Sequence, residues 1–145
     1  INCHGNKKGL TLGYLKTADE FEFYTNLKEK FDVISGKRII MIDSCESGGA
    51  TPLLDPNSYV IVSAEEDKLA KGDAVLGNWA TRYWVCGAGY DFLPGQAHDM
   101  EADSNKNKKV SLKELCDYTN RKLKNNSRLH RCQIISNDPN GIIFE

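Results

Sequence analysis

Apolar positions fall along this chain in blocks whose spacing changes from one block to the next. Ile1-Asn2-Cys3-His4-Gly5 reads as the end of a strand, and Asn6 to Lys8 as a turn. Gly9 to Leu15 alternates apolar and small residues, as a short hairpin arm does. Thr17 and Glu20 form a capping box, after which Phe21, Tyr24, Leu27, Phe31 and Ile34 follow helical spacing. Gly36 closes that segment, so a helix is predicted from Thr17 to Ile34. Ile39 to Ile42 are four consecutive apolar residues, the pattern of a strand buried on both faces.

Thr51 to Ser58 carries two prolines and reads as loop, and Tyr59 to Ala64 as a second buried strand. Glu65 to Gly72 is a charged loop. Asp73 caps a predicted helix in which Val75, Leu76, Trp79, Tyr83 and Cys86 share a broad face. Gly87 to Asp103 is irregular, and a third helix is expected from about Leu112 to Lys124. Cys132 to Ile135 is a further strand, and Asp138 to Gly141 a turn before Ile142-Ile143-Phe144. Strands alternating with helices predict a mostly parallel sheet with helices on its faces. Active groups are then expected at the carboxyl edge of the strands.

At 145 residues the chain has room for one domain with a real core. Its composition, 40% hydrophobic and 27% charged, is that of a globular protein. With 19 basic and 20 acidic side chains the net charge is -1, which offers nothing to nucleic acid or an anionic membrane. No apolar run approaches the roughly 18 residues of a spanning helix. No charged-then-apolar leader opens the chain, so the expectation leans slightly toward the cytoplasm. The five cysteines are widely and irregularly spaced, with no CxxC pair, which argues against a disulfide framework or a zinc site. Cys3, Cys86 and Cys132 sit among apolar neighbours and read as core residues.

Cys45 differs from these. It follows the apolar strand directly and lies between Asp43-Ser44 and Glu46-Ser47-Gly48-Gly49. A thiol at that edge is placed as a nucleophile, and it needs a base nearby and donors for an oxyanion. His98 and His130 lie in polar, loop-like surroundings and read as solvated. His4 lies at a strand end before Gly5, whose missing side chain lets the backbone approach a substrate. Were the strands ending at His4 and Asp43 neighbours, His4 and Cys45 would face each other across a cleft. The N–H groups of Gly5 and Cys45 would then be the oxyanion donors.

His4-Gly5, followed by Asp43-Ser44-Cys45-Glu46-Ser47-Gly48 after a buried strand, resembles the caspase-like cysteine peptidases. Cys45-Glu46-Ser47-Gly48 is similar to legumains and Asp43-Ser44-Cys45 to metacaspases. The resemblance implies an α/β fold, the caspase-like three-layer sandwich, with a mostly parallel sheet and helices on both faces. It implies Cys45 as nucleophile, His4 as base or acid of the dyad, and Gly5 in the oxyanion hole. It places Asp43, two residues before the nucleophile, in the S1 pocket, where a carboxylate would pair with Arg or Lys at P1. Ser63, Ala64 and Glu65 would form the pocket wall, while Glu65 and Glu66 read equally well as a solvated acidic loop. The expected activity is a cysteine endopeptidase cutting peptide or protein substrates after Arg or Lys, with no cofactor needed for the chemistry. Alternatives are a legumain-like peptidase cutting after Asn, a regulatory or binding module in a larger assembly, and an acyltransferase using the same dyad. In that family strands and a helix precede the histidine, whereas here only three residues do. Residues 1–145 are therefore expected to be a catalytic domain with its N-terminal part missing, completed by an N-terminal segment or a companion chain.

Asp103 to Glu114 fits the calcium-loop pattern D-x-[DN]-x-[DN]-G-x5-E except for Lys108 at the glycine position. Asp103, Asn105, Asn107 and Glu114, with the Lys109 carbonyl, are the candidate calcium ligands. Lys106, Lys108 and Lys109 oppose a dication, and Ser111 with Glu114 is also a capping box.

Overall fold

β4 (Arg38–Ile42) and β5 (Ser58–Val62) run parallel and pair from Arg38–Ser58 to Ile42–Val62. Both are β-branched runs, and they form the spine of a computed structural model that describes residues 1–11, 21–73, 77–91, 97–126 and 130–145. β9 (Gln133–Ile135) adds to the other side of β5 in antiparallel sense, so the sheet order is β4-β5-β9. Ile1 to Cys3 lies along the remaining edge of β4. A parallel bridge joins Asn2 to Asp43, and the Asp43 N–H donates to the Ile1 carbonyl at 2.8 Å.

Alternation along these strands sends side chains into two separate cores. Ile40, Ile42, Val60, Val62 and Ile135 join Tyr24 and Leu27 of α1 (Tyr24–Asp32) and the buried Leu53. Ile61 points the other way, into Trp84 of α2 (Trp79–Gly87) and Leu112, Leu115, Tyr118 and Leu123 of α3 (Leu112–Asn126). α1 is also tied to the sheet electrostatically: Arg38, only 8% exposed, donates to the Phe31 carbonyl at 2.8 Å and pairs with Asp32 and Asp55.

The remaining strands are short. β1 (His4–Asn6), β2 (Gly9–Thr11) and β3 (Phe21–Phe23) form an antiparallel meander. β6 (Gly72–Asp73) pairs with β7 (Gly77–Asn78), and β8 (Val110–Ser111) with β10 (Ile142–Phe144), both antiparallel.

The expected caspase-like three-layer sandwich with a mostly parallel sheet is thereby corrected. The chain forms three helices and four short sheets among the described residues, and β4 with β5 is the one parallel strand pair among them. A parallel pair needs a long crossover, and the segment between β4 and β5 is long enough to supply one. Elsewhere the connections permit antiparallel pairing, as at the two-residue turn Lys7-Lys8.

Three local expectations also change. β4 is not buried on both faces, since Ile39 is 41% exposed. The first helix begins at Tyr24 rather than Thr17, because Phe21 to Phe23 pair with β2 instead. Phe21 and Phe23 meet edge to face at 5.1 Å on one side of that strand, a packing that favours extended backbone. Thr17 and Glu20 lie outside the described residues. Asp73 is in β6, and α2 begins only at Trp79, while Val75 and Leu76 are outside the described residues. The third helix and the strands at β9 and β10 lie where the pattern put them.

Candidate functional site

β4 delivers Asp43, Ser44 and Cys45 at its carboxyl end, where the chain must reverse at once. It does so through Glu46, whose φ of 53° and ψ of 22° are left-handed, followed by a 3-10 turn over Ser47–Gly49. A non-glycine residue there is strained by about 1–2 kcal/mol. The turn is held by its surroundings: the Glu46 N–H donates to the Lys68 carbonyl at 2.7 Å, and the Lys7 N–H donates to Glu46 Oε2 at 3.2 Å. Strain beside a half-buried, free thiol fits a functional turn.

The β1–β2 hairpin lies directly against this turn. The Cys3 N–H donates to the Asp43 carbonyl at 3.4 Å. A Cβ on Gly5 would lie 2.8 Å from Ser44 Oγ, and one on Gly49 would lie 2.0 Å from the Lys7 carbonyl oxygen. Only glycine permits so close an approach at either position. His4 and Gly5 are thus carried to the flank of Ser44 and Cys45, and the His4 side chain is exposed. Asn6 and Gly9 flank the two-residue turn and form its hydrogen-bonded pair. Gly5–Leu10 is the next, non-bonded pair, so the Gly5 N–H points away from β2.

β5 supplies the floor. The Ser63 N–H donates to the Ile42 carbonyl at 2.9 Å, and its hydroxyl to the Ser44 carbonyl at 3.3 Å. The Ala64 N–H donates to Ser47 Oγ at 3.1 Å. Ser63 and Ala64 are fully buried and fasten the turn that carries Cys45, and Glu65 is half-buried. The loop that follows crosses beside the thiol, with Cys45 Sγ 3.9 Å from the Ala70 carbonyl, and is bound to α2 where the Trp79 N–H donates to the Lys71 carbonyl at 3.0 Å.

Asp43 is fully buried. Its Oδ2 accepts from the Thr81 N–H at 2.8 Å and from Thr81 Oγ1 at 2.7 Å. Thr81 lies in the first turn of α2, whose preceding residue Asn78 makes no side-chain cap. Asp43 therefore caps α2 from another element and places a negative charge at the positive end of the helix dipole. Asn78 Nδ2 donates to the Asp43 carbonyl at 3.2 Å. The second carboxylate oxygen, Oδ1, is buried without a hydrogen-bond partner among the described residues.

His130 is 1% exposed, which corrects its reading as a solvated histidine. Its ring lies 6.4 Å from that of Trp79, and burial holds its pKa below the ordinary value although the Asp43 carboxylate pulls the other way. Thr81 has no place in the sequence reading, and His130 figures there only as a solvated residue. Nothing local marks Thr81 as the partner of a residue in another element. The buried His130 shares the parity of buried Cys132, an alternation that could have marked it as inward-facing. His98 belongs elsewhere: its Nδ1 lies 2.6 Å from the Asp99 carbonyl, and that contact raises its pKa. It lines an apolar cleft of about 600 Å³ with Ile1, Met41, Trp84 and Tyr90, which does not include His4 or Cys45.

Asp103, Asn105 and Asn107 share one loop, which packs against Glu114 in the first turn of α3. The Asp103 carboxylate accepts from the Asn107 and Lys108 N–H groups, and Asn105 Nδ2 donates to Glu114 Oε1 at 2.8 Å. Lys108 takes the left-handed position of the missing glycine, with φ of 62°. Glu114 also completes the capping box, accepting from the Ser111 N–H and hydroxyl. With only two carboxylates, the loop does not form a group of three acidic, His or Cys side chains able to hold a metal, and there is no such group among the described residues. No helix of the described residues is long and apolar enough to cross a membrane.

No protein-family model matches the chain, and no curated protein matches its sequence.

Proposed function

We propose that the chain is a cysteine endopeptidase that uses Cys45 and His4 and cuts after a basic residue. The observation that carries this reading is the seating of His4-Gly5 against Ser44-Cys45 through the Asn2–Asp43 bridge and the bare Cα of Gly5. The likeness of these two segments to the motifs of caspase-like cysteine peptidases supports the same assignment. In the reaction, the Cys45 thiolate attacks the scissile carbonyl carbon, and the oxyanion is received by the N–H groups of Gly5 and Cys45. The C–N bond breaks as His4 protonates the leaving amine. Water, deprotonated by His4, then hydrolyses the thioester and returns the thiol.

Asp43 supports the basic preference. It is the buried carboxylate next to the nucleophile turn, and its free Oδ1 is an acceptor for a cationic side chain. The full chain is to be assayed with fluorogenic peptides ending in Arg, Lys, Asn or Asp before the leaving group. Turnover of the Arg and Lys peptides is expected, lost in Cys45→Ala and lowered about 10²–10⁴-fold in His4→Ala. Absence of turnover with every peptide would reject the peptidase reading, and selective cleavage after Asn would reject the role given to Asp43.

A further inference from the structure

Behind the turn that carries Cys45 lie three buried polar atoms without a hydrogen-bond partner among the described residues: Oδ1 of Asp43 and both ring nitrogens of His130. They belong to one neighbourhood. The Asp43 carboxylate acts electrostatically on His130, and the Ser63 backbone lies beside the ring without meeting hydrogen-bond geometry. The Trp79 ring sits next to it, tilted by 31°. Trp79 is in turn fixed beside Asp43 by its neighbours, through Asn78 on the Asp43 carbonyl and Thr81 on the carboxylate. Buried polar groups are nearly always paired, so three unpaired atoms in one place point to a group that arrives from outside.

The chemistry of these atoms narrows what that group is. The carboxylate oxygen only accepts, and the buried, neutral imidazole offers one acceptor nitrogen, its other nitrogen carrying the N–H, with the Ser63 backbone beside the ring. A visitor must therefore present several donors at once, together with positive charge to meet Asp43. A guanidinium does this with five N–H groups in one plane, and that plane can stack on an aromatic ring such as Trp79. An ammonium presents its donors from one strongly hydrated point and loses more on entering a dry site. Lys71, exposed nearby, repels either cation and does not discriminate between them. Both Asp43 and His130 are sealed from solvent, so entry requires the half-buried Trp79 ring to swing off His130.

We infer that His130 is a specificity-determining residue that, with Asp43 and Trp79, forms a guanidinium receptor and makes the enzyme prefer Arg to Lys at P1. This rests on the peptidase reading for its substrate, but the receptor can be tested without turnover. Agmatine serves as the guanidinium probe and 1,5-diaminopentane, of the same charge and similar length, as the ammonium control, titrated by calorimetry into the full chain carrying Cys45→Ala. Agmatine is expected to bind more tightly than 1,5-diaminopentane, and at least tenfold more weakly once His130→Leu is added. In the catalytic protein, the ratio of kcat/KM for Arg over Lys peptides is expected to fall at least tenfold in His130→Leu.

Absence of agmatine binding to the Cys45→Ala protein, or equal binding with and without His130, overturns the proposal even if peptides are cleaved. Conversely, agmatine binding that depends on His130 in a protein that cleaves nothing upholds the receptor and rejects the peptidase. Should His130→Leu fail to fold, the imidazole proton resonances of the otherwise unaltered protein decide the matter. A shift that saturates with agmatine supports the receptor, and resonances that do not move overturn it.

Discussion

Replacing Thr81 by valine removes one of the two donors that hold Asp43 while leaving the shape of the side chain almost unchanged. The hydroxyl lies 2.7 Å from Oδ2, the length of a charge-assisted hydrogen bond, at a fully buried carboxylate. Such a bond contributes about 1.5–3 kcal/mol, and no water can replace it in a sealed site. Oδ1 already lacks a partner, so the carboxylate is left with the Thr81 N–H alone on Oδ2. A loss of about 2–3 kcal/mol is expected. For a chain of this size that corresponds to a fall in Tm of roughly 4–12 °C. Urea melts of wild type, Thr81→Val and Thr81→Ser measure it, with an unchanged slope showing that only stability moved. Thr81→Ser keeps the hydroxyl and is expected to stay near wild type. A Thr81→Val protein within about 0.5 kcal/mol of wild type would refute the claim that the Thr81 hydroxyl helps hold the buried Asp43 carboxylate.

Gly49→Ala places a Cβ 2.0 Å from the Lys7 carbonyl oxygen, so the hairpin must move off the turn that carries Cys45. A stability loss of about 1–3 kcal/mol is expected, with a lowered kcat/KM, and a variant unchanged in both would contradict the close seating of His4-Gly5 on this turn. Acidification tests His130 differently. Its pKa is depressed in the fold, mainly by burial and also by Lys71, against opposing pulls from Asp43 and the Ser63 backbone. Cys132, which also feels Asp43, stays protonated because burial raises its pKa. Below its unfolded pKa of 6.5 the unfolded chain takes up a proton that folded His130 resists. Stability is therefore full above about pH 6.5 and falls as pH drops toward the folded pKa, by at most about 1.4 kcal/mol per pH unit. His98 shifts the opposite way, so the quantity to measure is the difference in urea stability between wild type and His130→Gln from pH 7.5 to 5. No difference in slope would mean that His130 is not held neutral.

The legible parts of this chain were those in which one local pattern dominates. The apolar run at β4, the β-branched run at β5 and the 3.6-residue spacing of α3 each settle an element by themselves. Phe21 was misjudged because aromatic residues fit a helix face and a paired strand equally well, and β2, lying nearby, decides between them. The sense of the sheets was not legible for a related reason. A strand carries its side-chain alternation whichever way its neighbour runs, so β9 reads the same parallel or antiparallel.

The amino-acid order by itself determined that a thiol with an acidic residue two positions before it and glycines behind it would follow a buried strand. It also determined that His4 would precede a glycine. What Asp43 touches was settled by the packing of distant elements. Its partner Thr81 and its neighbour His130 lie on other elements, and no periodicity in the sequence records a contact between side chains so far apart in the chain. Burial, which removes water as the alternative partner, is what turns that contact into a cap and leaves the remaining oxygen free.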